Sequence, residues 1–339
     1  MHCPLQFVSL NGMFYLSLMN PFWLYLRAGP ERLWQLSALF CFLLICPAVN
    51  AGPLVFLSDF GLRDGAVASM KGVAVSVDPT LIIYDITHEI PGYNIWEAAL
   101  RLDQAAGYWP SGTVFVSVVD PGVGTERRSV VLKTHSGHYF VTPDNGTLTF
   151  VAESLGVEQV RAIDEATNRL KHSGESYTFH GRDVYAYTGA RLAAGLITFE
   201  QVGQDRGQEV VRIPYQRPAE VNGIVSGGIP ILDIQYGNVW TNIDRATFQK
   251  LGIESGGSVA VRIFKGEARV ISLKLNYADT FAGVAKGQPL LYINSLGNAA
   301  LAINQGSFAQ RFRVASGPEW SIQLSRPDSS AGGLKRPRD

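Results

Sequence analysis

Cysteine is nearly missing from this chain, and its placement excludes more than its scarcity does. The three cysteines are Cys3, Cys41 and Cys46, all ahead of the first strand-like segment. Everything after them lacks a thiol for disulfides, thiolate zinc sites or cysteine nucleophiles, so any chemistry there uses oxygen and nitrogen. Net charge is missing as well. With 29 basic and 29 acidic residues the formal charge is zero, so no global field draws the chain to nucleic acid or to an anionic membrane, and neither is expected as a partner. A comfortable membrane span is the third absence. The apolar stretch 36–45 is too short and reads as part of a leader, with Arg27 and Arg32 before it and Pro47 and Ala48-Val49-Asn50-Ala51 after it. Cleavage is expected after Ala51, which exports the remainder to the periplasm or medium; a retained anchor is the alternative. The apolar residues 14–26 make this leader long, so translation starts at Met1, Met13 or Met19.

What is present suits a globular protein with two cores: hydrophobic residues make up 46% and glycine occupies 35 positions. Residues 54–57 read as a strand, 64–77 as a helix, 81–86 as a second buried strand, 94–109 as a helix with Ile95, Ala98, Ala99, Leu102 and Ala106 on one face, and 114–119 as a strand. That alternation predicts right-handed crossovers and a parallel sheet. Shorter strands follow at 130–132 and 139–141, and a helix at 183–194. Beyond 213–220 the texture changes to short strands separated by Gly-rich turns, the pattern of a small barrel or sandwich. The expected fold is an α/β N-terminal domain with a mainly parallel sheet (52–213), then a smaller all-β C-terminal domain (219–324). Residues 1–51 are the leader, and 325–339 are expected to be a disordered tail.

The most informative segment is Val118-Val119-Asp120-Pro121-Gly122-Val123-Gly124-Thr125-Glu126-Arg127-Arg128. Asp120 leaves a buried strand at its carboxyl end, where open α/β sheets bind ligands. Pro121, Gly122 and Gly124 force a tight turn that swings Arg127 back toward Asp120. Asp59 follows another apolar strand, and two carboxylates at one sheet edge suit a ribose diol, a metal or a polarised water; equally, Asp59 or Asp64 serves as a helix cap. His180, in Phe179-His180-Gly181-Arg182-Asp183, opens the last helix of the first domain, with Asp183 as its N-cap; His88, His135, His138 and His172 read as structural or exposed. In the second domain Asp233-Ile234-Gln235-Tyr236-Gly237-Asn238-Val239-Trp240 combines an acid, an amide and an aromatic. Asn238 suits an adenine edge and Trp240 or Tyr277 a stacking face, although the same residues also make an ordinary hairpin turn.

These segments, with Met70-Lys71-Gly72-Val73, Asp85-Ile86-Thr87-His88, Pro143-Asp144-Asn145-Gly146 and Ile293-Asn294-Ser295-Leu296-Gly297, resemble in order the S-adenosyl-L-methionine (SAM) hydroxide adenosyltransferases, relatives of the SAM-dependent fluorinase and chlorinase. The resemblance runs from Leu54 to Arg313. It implies hydrolysis of SAM to adenosine and L-methionine, with SAM as substrate and no further cofactor or metal. It also implies a homotrimer that holds substrate between the first domain of one subunit and the second domain of its neighbour. The positions matching the family's water-binding Asp, Arg and His are Asp120, Arg127 and His180. By the same matching Asp59 holds the ribose hydroxyls, Tyr93 packs along the nucleoside and Asn238 reads adenine. Asp233 and Ser295 meet the amino-acid end, Trp240 and Tyr277 wall the base, and Asp64 and Asn145 complete the substrate-binding set. Leu296 departs from the pattern, standing where some halogenating relatives carry arginine. Three other readings compete: a SAM-dependent halogenase, a secreted protein that binds SAM or adenosine without reaction, and a metal-dependent hydrolase built on Asp59, Asp64, His180 and Asp183.

Overall fold

Strand β1 (Leu54–Ser58) is buried along its whole length. Leu54 and Phe56 enter one apolar cluster with Met70, Ala74, Ala186 and Ala190, while Val55 and Leu57 enter another with Ala98, Leu102 and Phe115. Side chains alternate across a strand, so a strand buried at every position requires cover on both faces. Helix α1 (Ala66–Val77) and the last helix of this half supply one cover; α2 (Ile95–Ala106) supplies the other. Asn94 caps α2, its side chain accepting from the Glu97 amide at 3.0 Å. The protein is seen in a computed structural model that describes residues 52–327; the leader and residues 328–339 of the expected tail lie outside the described residues.

The first sheet continues through β2 (Ile83–Thr87), β3 (Val114–Val118), β4 (Ser129–Thr134), β5 (Tyr139–Pro143) and β6 (Val157–Ala162), in the order β2-β1-β3-β5-β4-β6. Strands β2, β1, β3 and β5 run parallel, but β4 pairs antiparallel with both β5 and β6. The sheet is therefore mixed, and the expectation of a mainly parallel one is corrected. Only a tight turn separates β4 from β5, closed by the Gly137 amide on the Thr134 carbonyl at 2.9 Å, and so short a link permits only an antiparallel hairpin. Strand β2 is also not the buried strand its apolar run predicts: it lies at the sheet edge, with Tyr84 46% exposed. Short helices α3 (Thr149–Ser154) and α4 (Glu165–Asn168) follow, then a π-helical turn (Gly181–Ala186) that runs into α5 (Tyr187–Ala193).

The second half is mostly strand. Strands β7 (Ala219–Val221), β8 (Ile224–Ile229), β9 (Ile231–Asp233), β10 (Asn238–Asp244), β11 (Ser258–Lys265), β12 (Ala268–Tyr277), β13 (Pro289–Ile293), β14 (Asn298–Ile303) and β15 (Gly317–Ser325) form one sheet in the order β7-β8-β15-β11-β12-β13-β14-β10-β9. Burial alternates along β8 and β11, so one face wraps a core of Val225, Val239, Val261, Ile263, Leu301 and Ile322. The sheet curls until β8 meets β10, where the Gly228 amide donates to Asn242 Oδ1 at 2.8 Å. Two short helices, α6 (Arg245–Gln249) and α7 (Phe308–Phe312), correct the all-β expectation. The halves are tied by Trp96 Nε1 donating to the Pro230 carbonyl at 2.8 Å and Arg101 Nη2 to the Leu232 carbonyl at 3.0 Å. Among the described residues no helix is long and apolar enough to cross a membrane.

Candidate active site at the carboxyl end of the third strand

Strand β3 is wholly buried and delivers Asp120 to the sheet's carboxyl edge. The next turn is closed by the Val123 amide on the Asp120 carbonyl (3.3 Å) and the Thr125 amide on the Gly122 carbonyl (3.1 Å). Gly124 takes φ +79°, a region that favours glycine. The loop thus returns Arg127 onto Asp120 in a fork: Nε donates to Oδ1 at 2.9 Å and Nη2 to Oδ2 at 2.5 Å. Arg127 Nη1 donates to Ser129 Oγ at 3.0 Å, and Ser129 Oγ lies 3.1 Å from the buried Tyr185 hydroxyl. Burial alone would lower the Arg127 pKa; the bond to Asp120, together with electrostatic attraction to Tyr185, Asp120 and Glu165, outweighs it and holds the guanidinium above its ordinary value. Burial pushes the Tyr185 hydroxyl far up, so it stays protonated.

His180 caps the π turn and is buried. Gly181 permits its close approach, because a Cβ there would lie 3.0 Å from Val118 Cγ1 and 3.2 Å from the Phe60 ring. The imidazole Nδ1 sits 2.8 Å from Arg127 Nη2, so Asp120, Arg127 and His180 form one contiguous chain. Burial lowers the His180 pKa, and Arg127 and Arg169 push the same way against Glu165 and Asp120. Asp183 is not the N-cap: it lies buried inside the turn, gripped by Arg182 Nε at 2.7 Å and Nη2 at 3.1 Å.

Asp120 and His180 open onto a cleft of about 350 Å³ that Asp59, Phe60, Tyr93 and Phe179 also line. Asp59 Oδ2 accepts from the Tyr93 amide at 2.8 Å, and Tyr93 is held at φ +67° with the residue 76% exposed. A left-handed tyrosine costs of order 1 kcal/mol, strain that an over-determined binding loop tolerates. Beneath Asp59, Ser58 Oγ lies 2.7 Å from His88 Nδ1, His88 Nε2 lies 3.1 Å from Asp85 Oδ1, and Lys71 Nζ donates to Asp85 Oδ2 at 2.6 Å. Ser58 is fully buried, so this relay fixes the 58–61 turn; the Gly61 amide also donates to the His88 carbonyl at 2.7 Å.

The other expected site residues are spread apart. Asp64 accepts from the Ala66 amide at 2.9 Å and stays at the start of α1, away from the cleft lining. Asn145 Nδ2 donates to the Val119 carbonyl at 2.9 Å, which anchors the residue before Asp120. Asn238 Nδ2 donates to Asp233 Oδ2 at 3.0 Å, with Asn238 at the wall of a cavity of about 530 Å³ beside Tyr236, Phe281 and Ser307. Trp240 lines a different cavity of about 330 Å³ with Asp103, Tyr215 and Leu296. Tyr277 packs edge-on against Phe248, ring centres 5.0 Å apart, and Ser295 is exposed on a turn. None of these second-half residues lines the Asp120 cleft of the same chain. Asp59, Asp64, His180 and Asp183 do not converge either, and no cluster of three or more potential metal ligands occurs among the described residues.

Arg169 and Glu165 escaped the sequence reading. Arg169 Nη2 reaches His180 Nε2 at 2.9 Å and Glu165 Oε2 at 2.6 Å. The Glu-x-x-x-Arg spacing foretells their mutual pairing on one helical face; nothing in the sequence foretells the histidine.

Comparison with known proteins bears on both halves of the chain. The family model described as the SAM hydroxide adenosyltransferase N-terminal domain matches residues 54–203, and that of the C-terminal domain matches residues 227–321. A protein named (R)-S-adenosyl-L-methionine hydrolase from Salinispora tropica is 35% identical, covering 77% of this chain and 94% of its own. A fluorinase from Actinoplanes sp. is 31% identical, covering 79% and 96%. The crystal structure of an uncharacterized conserved protein from Thermotoga maritima superposes with a TM-score of 0.73 at 36% identity, covering 80% of this chain and all of that one. With both domain models matched in order, and the carboxylate, guanidinium and imidazole contiguous at the strand end, this chain belongs to the SAM hydroxide adenosyltransferase family.

Proposed function

We propose that the protein hydrolyses SAM to adenosine and L-methionine by in-line attack of water on C5′. The observation that carries this reading is the Asp120–Arg127–His180 chain opening onto one cleft. The ribose carbon of SAM is bonded to a sulfonium, so its leaving group departs as a neutral thioether and needs no metal to assist it. What the reaction lacks is a positioned oxygen nucleophile. Both Asp120 oxygens accept from Arg127, and each keeps a lone pair for a water hydrogen. A water so held is polarised and aligned, and Arg127 offsets the charge that gathers as the proton leaves. Asp59, fixed by the Tyr93 amide, presents its free carboxylate oxygen to a ribose diol, with the Tyr93 ring along the nucleoside.

The remaining contacts come from a second subunit. Asn238, Asp233, Trp240, Tyr277 and Ser295 lie outside the Asp120 cleft of their own chain, which favours a homotrimer whose sites combine the first domain of one subunit with the second domain of the next. The leader-like residues 1–51 favour export of the remainder.

Fluorinases among the relatives keep halogenation as a second reading. An anionic Asp120 at the nucleophile position repels halide in a confined site and favours water. Incubating the purified chain with the (R) and (S) sulfonium epimers of SAM, with and without chloride or fluoride, and separating the products decides the matter. Adenosine with methionine is the expected result. A 5′-halogenated nucleoside would replace the hydrolase with a halogenase, and bound but unreacted SAM would leave a binding protein.

A further inference from the structure

His180 is held between two arginines. Arg127 Nη2 is 2.8 Å from Nδ1 and Arg169 Nη2 is 2.9 Å from Nε2. Neither guanidinium can accept a hydrogen bond. A neutral imidazole offers one lone pair, so it accepts from one arginine at a time; an imidazolium accepts from neither and sets a third positive charge between them. Arg127 is committed by its bonds to Asp120 and Ser129. Arg169 is held more loosely: Nε and Nη2 share one oxygen of Glu165, its Cζ lies 4.7 Å from the Tyr177 ring centre, and its Nη1 is buried without a hydrogen-bond partner. Its side chain is only 9% exposed, whereas the Glu165 side chain is 33% exposed. An arginine serving the fold alone would not be buried with a nitrogen unsatisfied and another aimed at a histidine.

We infer that Arg169 is a positioning residue, acting through His180: it keeps the imidazole uncharged, so the proton released by the attacking water passes to Asp120 and on to solvent, not to His180. This rests on the hydrolase reading above. In the step, the water oxygen forms its bond to C5′, the C5′–sulfur bond breaks with its electron pair going to sulfur, and one proton leaves the new hydroxyl. The charged and titratable groups facing His180 are Arg127 and Asp120 from the loop after β3, Arg169 and Glu165 from α4 and its end, Tyr185 from the π turn, and Tyr177 from the preceding loop. The His180 pKa is held below its ordinary value, with burial as the first cause; Glu165 pushes it up, Arg127 and Arg169 push it down, and Asp120 pushes it up.

The test uses the full chain and two readouts: NMR titration of the His180 ring without substrate, assigned against His180→Gln, and the pH profile of kcat/KM for adenosine formation. Arg169→Gln is expected to raise the ring pKa by about one unit or more and to carry the acid limb of the profile upward with it. Glu165→Gln, at a partly exposed carboxylate, is expected to shift both downward, and Arg169→Lys to keep them near wild type. A merely structural role would not give opposite signs for the two partners. A ring pKa unchanged in both Gln variants overturns the inference, as does an acid limb that stays put while the ring moves. Absence of adenosine from the wild-type chain would instead overturn the hydrolase reading, with the ring titration still reporting on Arg169. Should Arg169→Gln not fold, the Glu165→Gln and Arg169→Lys pair decides the question: a downward shift in the first with little change in the second supports the inference, and no shift in the first overturns it.

Discussion

Asp120→Asn separates the chemistry of the site from its architecture. The Asp120 and Arg127 side chains are 6% and 11% exposed and joined by two hydrogen bonds. Removing one partner of such a buried pair typically costs about 3–5 kcal/mol, much of it from the charge left alone. Asparagine keeps the shape and one acceptor for Arg127, so roughly half of that loss, ~2 kcal/mol, is expected. For a chain of 339 residues that lowers Tm by about 3 °C, which leaves the variant folded at assay temperature. Turnover should fall much further, about 10²- to 10⁴-fold, because the amide no longer polarises the water or receives its proton. The assay is adenosine released at saturating SAM, run beside a thermal melt and a binding isotherm for SAM. A kcat within about threefold of wild type would refute the role given to Asp120. So would a variant whose lost activity is matched by lost folding.

Three further outcomes follow from the same geometry. If sites are shared between subunits, co-refolding Asp120→Asn with Asn238→Ala chains should restore about a quarter of wild-type sites by random pairing, whereas separate sites would restore none. Gly189→Ala should destabilise by about 1–3 kcal/mol in denaturant melts, since its Cβ would lie 2.5 Å from Val116 Cγ2 where α5 packs on β3; an unchanged midpoint would show that the two elements separate easily. Exhaustive chelation should leave adenosine formation intact, because the carboxylates that could serve as ligands are dispersed, Asp64 on the Ala66 amide and Asp183 on Arg182; lost activity restored by a divalent cation would reverse this.

Much of the site was legible because its signals are local. A buried strand followed by Asp-Pro-Gly and a glycine at positive φ sends the chain back on itself within a few residues, so the Asp120–Arg127 pair can be named from the residues alone. The same holds for α2, whose buried Ala98, Ala99, Leu102 and Ala106 repeat at helical spacing. The expectations that failed concern placement. The apolar run at β2 resembles that of β1, yet one lies at the edge and the other inside; an apolar run does not say whether a neighbouring strand covers it. Asp183 follows a glycine-containing turn and so resembles a cap, but His180 holds the cap position and the π turn from Gly181 takes the aspartate inside.

By itself, then, the sequence determined the strand-end turn that pairs Asp120 with Arg127 and the division into two halves, because each is set by covalent geometry or by periodicity over a few residues; His180 joined that pair only through the family resemblance. Tertiary structure alone decided that β2 lies at the sheet edge, that Arg169 comes to face His180 across eleven residues, and that the second-domain candidates lie away from the Asp120 cleft. Those contacts join segments whose separation along the chain leaves no local trace. They are fixed only when burial of the whole core selects one arrangement of strands and helices.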